Sequence, residues 1–342
     1  AGTAASAHPH KASATRARAA PLSTLAPGAA RDLGPFSEDT SAQRARTDYS
    51  SIVYDAAGKR MLLFGGGHGP GVDTDIRAFP LATRPSPWQS LYPPVPAADR
   101  VDSNWDKSVG RWISLNQPIV RHTFNAALMI GRKYYLLTSG GIEGHGVIAW
   151  YDPEIIDPTK RWSFSKAGQP PWYYASGVAL DPISANVVVY GTDPSASNFL
   201  HLWLYNPRTD TISAAVDAPR MLTGYLFDLH YIPQLDRFVA FESTGRITEI
   251  ALDRAHPHAS RIAHVATTGS EPPRSNAAEL AWNGHVLGGN IVNGVFHAYD
   301  PVKRTWSQYQ VKTEDGGNAT MTQVFYTIAY DSDSGCFIFI GT

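Results

Sequence analysis

Residues Tyr49–Gly67, YSSIVYDAAGKRMLLFGGG, read as two short antiparallel strands joined by a turn, with the second strand running into glycine. The unit recurs clearly at Arg121–Gly141 (RHTFNAALMIGRKYYLLTSGG) and Tyr174–Gly191 (YASGVALDPISANVVVYG), and more weakly at Tyr225–Ser243, Ser275–Asn290 and Val324–Gly341. The turn residues Asp55, Gly131, Asp181, Pro233, Asn283 and Asp331 are spaced by 76, 50, 52, 50 and 48 positions. A hairpin of this size cannot bury both of its faces alone, so a period near 50 predicts sheets stacked side by side around an axis.

Each unit continues into a third and a fourth strand. Third strands are expected at Asp75–Ala82, Val147–Asp152, Leu200–Asn206, Arg246–Asp253 and Gly294–Asp300. Three of them end in a turn signal, at Tyr151-Asp152-Pro153, Tyr205-Asn206-Pro207 and Tyr299-Asp300-Pro301, where proline cannot donate to a ladder. Aromatic-rich fourth strands follow at Arg161–Lys166, Thr211–Val216, Arg261–Thr267 and Thr305–Val311. Four antiparallel strands per repeat make a propeller blade. The expected fold is an all-β propeller of six blades, with seven as the alternative. One domain covers residues 22–342, after a flexible leader at 1–21 rich in Ala, Ser, Pro and Arg. The last repeat reaches Thr342 after two strands, so the segment Leu22–Phe36 is expected to complete it. The longest spacing, between the first two markers, predicts a rim insertion at about 88–118. It is either a solvated excursion or a loop that narrows a cleft.

The 342 residues carry 29 basic and 30 acidic side chains, a net charge of −1, which offers no electrostatic footprint for nucleic acid or an anionic membrane. A lone cysteine, Cys336, excludes an internal disulfide; its apolar strand reads as a setting for a buried, inert thiol. A secreted or periplasmic monomer fits the composition.

In an antiparallel pair, the entry of strand one and the exit of strand two lie at the same end. One face of the array therefore gathers Arg46, Asp48, Tyr49, His68, Asp73 and Asp75 from the first unit and Arg121, His122, Asn125, Glu143 and His145 from the second. The third gives Trp172, Tyr173, Tyr174, Asp193 and Asn198, and the fourth Arg220, Tyr225, Glu242 and Arg246. The last two give Arg274, Asn276, Asn290, Asn293, Gln323 and Tyr326. Imidazole, phenol and guanidinium groups dominate this set. Any one of them can instead serve structure, by bonding carbonyls of a neighbouring blade. His68, Asp73 and Asp75 could hold a divalent metal, Ca or Zn, although no cofactor is required. There is no G-x-S-x-G elbow, P-loop or dinucleotide fingerprint, and the acidic residues fall in no glycosidase motif. A copper radical oxidase would need a Tyr–Cys crosslink, for which Cys336 has no matching context.

The glycine doublets, the Tyr-Asp-Pro turns and the fourth-strand tryptophans Trp162 and Trp306 resemble kelch-type propeller repeats over roughly residues 45–342. The His, Tyr and Arg set resembles that of the propeller-fold polysaccharide lyases, the ulvan lyases among them. That resemblance implies β-elimination on an acidic, uronate-containing polysaccharide or oligosaccharide. It also implies roles: His122 as base, Tyr174 as acid or base, Arg220 or Arg274 as carboxylate clamp, and His145 and Asn125 as orienting or neutralising groups. Arg46, Tyr49, His68, Arg121, Trp172, Tyr173, Tyr225, Arg246 and Asn276 would contact substrate. A non-catalytic carbohydrate- or protein-binding propeller is the alternative.

Overall fold

The computed structural model describes residues 21–34, 49–66, 75–81, 88–138, 146–172, 176–192, 200–213, 216–217, 227–242, 244–273 and 279–341. Among these the regular structure is strand, with only short 3-10 turns between strands. The first sheet is built from Ile52–Asp55, Arg60–Leu63, Arg77–Pro80 and Gln89–Ser90. The second uses Ala127–Ile130, Lys133–Leu136, Ala149–Tyr151 and Trp162–Phe164. The third runs through Gly177–Leu180, Val187–Thr192 and Leu200–Asn206, and its expected fourth strand is split into Thr211–Ile212 and Val216–Asp217. Phe227–Ile232, Arg237–Glu242, Ile247–Ala251 and Arg261–Val265 form the fourth. The fifth comprises Leu280–Trp282, Leu287–Val292, Val295–Asp300 and Thr305–Gln310, with Thr268–Gly269 added in parallel at its edge. A hairpin, Gln323–Asp331 with Cys336–Gly341, follows. Successive four-stranded antiparallel sheets of this kind are consistent with the blades of a β-propeller.

Strands such as RMLL and VVVY bury both faces, because their sheets are sandwiched between two others. Leu62 packs toward Tyr134, Leu136 and Trp162 of the second sheet, while its neighbours Met61 and Leu63 pack with Ala329 and Ile338 of the last hairpin. Similar cores lie between the second and third, third and fourth, and fourth and fifth sheets, and between the fifth sheet and the hairpin. The repeat's signature residues recur in these cores. Phe64 meets Trp162 edge-on at 5.2 Å, and Phe241 meets Trp306 at 5.5 Å; each Trp also touches its own sheet's Tyr151 or Tyr299. Edge-on aromatic pairs of this sort add about 1 kcal/mol to the burial itself.

The first strands lie against one another in succession. Ile52–Asp55 touches Ala127–Ile130, which touches Gly177–Leu180, and the contacts continue through Phe227–Ile232 and Leu280–Trp282 to Gln323–Asp331, which also touches Ile52–Asp55. Among the described residues each of these strands has one ladder edge without a strand partner, and at three of them a side chain from an adjacent sheet bonds to the strand or to the residue before it. Leu280 N donates to Asp228 Oδ2 at 2.8 Å, Ile328 N to Glu279 Oε2 at 3.3 Å, and Ser51 N to Thr123 Oγ1 at 3.2 Å. At the far ends of the sheets, Arg254 of the fourth reaches Asp181 of the third through two bonds, at 2.8 and 3.1 Å, and Arg304 of the fifth grips Glu249 of the fourth.

The N-terminal segment departs from expectation. Among the described residues it adds no strand to the last hairpin. Ala29–Ala30 pairs in parallel with Lys312–Thr313, and Arg31 locks this join through two bonds to the Glu314 carboxylate. Leu22 still packs into the core between hairpin and first sheet, and Leu22 O lies 3.7 Å from Cys336 Sγ. Among the described residues, side-chain packing stands there in place of a ladder. Cys336 is half-buried rather than buried. The insertion at 88–118 is no loose excursion: Trp105–Asp106, Arg111–Trp112 and Gln117–Pro118 form a three-stranded sheet around Val95, Trp112 and Ile119. Residues 1–20, most of the expected leader, lie outside the described residues.

Burial and the neighbouring Asp228 push the Glu279 carboxyl well above its usual range. An acid whose folded value exceeds its unfolded one favours the fold fully below the unfolded value and loses that contribution as pH rises through the folded value. Glu279→Gln keeps an oxygen for Ile328 N and removes the buried charge. Its urea midpoint is expected to match the parent near pH 4 and to exceed it at pH 8, by about 1 kcal/mol or more in stability. A variant less stable than the parent at pH 8 would contradict this reading.

Candidate functional site

The join between the first and second sheets is made by residues 121–125. Thr123 N and Phe124 N both donate to Tyr49 O at 3.0 Å, and Gly66 N donates to Arg121 O at 3.1 Å. Gly65 is required here: its φ is +79°, and a Cβ would stand 2.2 Å from Arg121 O. The clamp holds two aromatic residues in the left-handed region, Tyr49 at φ +61° and Phe124 at +40°. Each costs about 1–3 kcal/mol, and such strain is typical of functional sites. Its result is a ring cluster. Tyr49 lies over His122 at 4.7 Å and 34°, with Phe124 5.4 Å from Tyr49 and edge-on to His122 at 5.5 Å. Phe124 is buried, whereas Tyr49 and His122 are half-buried.

The sequence placed both residues on one face, and the structure brings them into contact. Four other expected site residues have structural settings. Arg121 is fully buried, its guanidinium donating to Val147 O at 2.9 Å, Thr138 O at 3.3 Å and Gly110 O at 3.4 Å. Burial pushes its pKa down to about 10, which leaves it charged at neutral pH. It pins the insertion and the second sheet together and offers no fork to a ligand. Trp172 is core: it is fully buried beside Trp203, and its indole N–H donates to Leu137 O at 2.6 Å, so it gives no stacking platform. Asp75 is 1% exposed and accepts from Arg77 Nε at 3.1 Å. Asn125 is buried directly after Phe124. Arg46, His68, Asp73, His145, Tyr173, Tyr174, Arg220, Tyr225, Arg274 and Asn276 lie outside the described residues. Among the described residues no group of three His, Cys, Asp or Glu is placed to hold a metal ion.

A second cluster sits at the corresponding end of the fourth sheet, where Arg246 is exposed on the turn after the second strand. Glu242 is 2% exposed and accepts from Thr248 Oγ1 at 2.6 Å, and the same hydroxyl lies 3.0 Å from His264 Nδ1. Burial raises the Glu242 pKa; Thr248, His264 and Arg246 oppose that rise without cancelling it. The buried Tyr190 phenol, also raised by burial, adjoins the pair. The resulting line, Glu242–Thr248–His264, can pass a proton between a buried carboxyl and an exposed imidazole. Sequence reasoning named Glu242 but not Thr248 or His264. The available signal was register: the third and fourth strands of this sheet pair Thr248 with His264.

No protein-family model matches the sequence, and no curated protein is similar to it. Among solved structures, it is similar to a structural-genomics protein of unknown function from Bacteroides thetaiotaomicron, at 11% identity and a TM-score of 0.48. The alignment covers 85% of this chain and 66% of that one, just short of two thirds of the other protein's length.

Replacing Arg121 by Ala leaves buried carbonyls without a donor and opens a cavity at the join of the insertion. The expected cost is about 3 kcal/mol in urea unfolding. Unchanged stability would return Arg121 to the list of ligand-binding groups.

Proposed function

We propose that this protein is a polysaccharide lyase acting on a uronate-containing polymer, with its reaction centre at the Tyr49–His122 cluster. The observation that carries the reading is that contact: a half-buried imidazole and phenol with ring centroids 4.7 Å apart, held at the entries of neighbouring sheets by strained backbone. In β-elimination, the base takes the proton from the carbon next to the carboxyl. That electron pair forms the new carbon–carbon double bond, and the bond to the 4-linked oxygen breaks as that oxygen receives a proton. His122 serves as base and Tyr49 as the proton donor at hand, a role the resemblance gave to Tyr174. With Arg121 committed to backbone carbonyls, the carboxylate clamp falls to Arg220 or Arg274, assisted by His145.

The proposal includes a ring of six blades. The succession of first-strand contacts and the core shared by the last hairpin and the first sheet support it. On this reading the protein is a secreted or periplasmic monomer that needs no cofactor. The burial of Trp172, Arg121 and Asp75 favours a second reading, a propeller that binds acidic sugars without cleaving them. A panel of uronate polymers, followed in the ultraviolet for an unsaturated product, separates the two. The lyase reading expects product from the parent and a loss of about 10²-fold or more in His122→Ala, with Tyr49→Phe also impaired. Binding without product supports the second reading, and undiminished product from His122→Ala removes His122 from the mechanism.

A further inference from the structure

At the end of the fourth sheet remote from Glu242 lies an open hollow of about 470 Å³, lined by Arg237, Ala251, Leu252, Asp253, Arg254, Ala259 and Arg261. Its floor follows from strand register. Ala251 is one residue beyond the Phe238–Ile250 pair and directly opposite Arg261, so Arg237, Ala251 and Arg261 stand in one row across three strands. Side chains in such a row project to the same face of the sheet. Two arginines therefore flank a methyl group, with backbones two ladder spacings, or roughly 10 Å, apart.

The charges are unevenly matched. Arg254 is fixed as a wall by four bonds to the Asp181 and Asp236 carboxylates. Glu249, the nearest carboxylate to Arg237, sits 3.9 Å from it and is already held by Arg304 through two bonds at 2.9 and 3.0 Å. Asp253 turns its Oδ1 to the amides of Ala255 and His256. Arg261 is exposed, and its guanidinium makes no hydrogen bond or ion pair among the described residues. Among the described residues one guanidinium thus has no carboxylate partner, and a second has only a shared one, on either side of the Ala251 methyl.

We propose that this hollow is a binding site for an acidic monosaccharide unit. The sugar ring would lie over Ala251 and its carboxylate would be taken in the fork of Arg261, with Arg237 facing it from the other side. The volume is of the size that holds a small organic ligand. The site is at the other end of the strands from the His122 cluster, and its occupancy does not depend on whether elimination occurs there.

The test is calorimetric titration of the full chain with D-glucuronate, D-glucose and inorganic sulfate, repeated on Arg261→Ala and Ala251→Leu. Arg261 has no described partner, so its loss leaves the fold intact; Ala251→Leu fills the floor and leaves every charge in place. Glucuronate is expected to bind about tenfold or more tightly than glucose, and both variants are expected to weaken it by about tenfold, the scale of one charge-assisted pair. The proposal is overturned if the parent shows no glucuronate binding, if glucose binds equally, or if both variants bind as the parent does. Sulfate binding as tightly as glucuronate also overturns it, by making this an adventitious ion only. Unsaturated product is a separate observable, so failure here and failure of the lyase reading are distinguishable.

Discussion

The structure depends on how side chains of one sheet cover the open ladder edge of a neighbouring one, as they do at three of its joins. First strands have backbone donors on one side that no described strand pairs, and leaving such groups buried and unbonded would cost several kcal/mol in all. Asp228 bonds Leu280 N, Glu279 bonds Ile328 N, and Thr123 bonds Ser51 N. Each of these side chains lies at or next to a strand entry, the position that also faces one end of the molecule. Polar residues at those entries are therefore under two demands, to satisfy neighbouring backbone and to offer chemistry.

At the join of the first and second sheets the two demands meet in adjacent residues. Arg121 and Thr123 alternate with His122 along the chain, so the first two point into the join while His122 emerges beside Tyr49. The backbone strain at Tyr49 and Phe124 is sustained by three amides donating to Tyr49 O and Arg121 O. The candidate centre is in this sense a by-product of the latch: the bonds that hold two sheets together also fix the angle between phenol and imidazole.

The period, the glycine doublet and the tryptophan of the fourth strand were legible in sequence because each reports a local requirement. Gly65 must admit Arg121 O, and Trp162 and Trp306 fill equivalent gaps against Phe64 and Phe241. The fates of individual polar side chains were not legible. A buried Arg121 without a described carboxylate partner looks in sequence like any guanidinium at a strand entry, and only the carbonyls of Gly110, Thr138 and Val147 reveal its task. Trp172 was expected to contact substrate, as an aromatic face on which a sugar can stack, yet the indole turns inward to Leu137 O. The N-terminal join also escaped notice. A two-residue parallel pairing with Lys312–Thr313, secured by Arg31 and Glu314, has no periodicity to betray it.

Native-state hydrogen exchange at the amides of Ser51, Leu280 and Ile328 tests most directly whether side chains of adjacent sheets seal the first strands. All three are expected to exchange only through global unfolding, with the same free energy as amides in the sheet centres. If they exchange through low-energy local opening, like turn amides, these side-chain bonds do not seal the first strands and the sheets are held there by apolar packing.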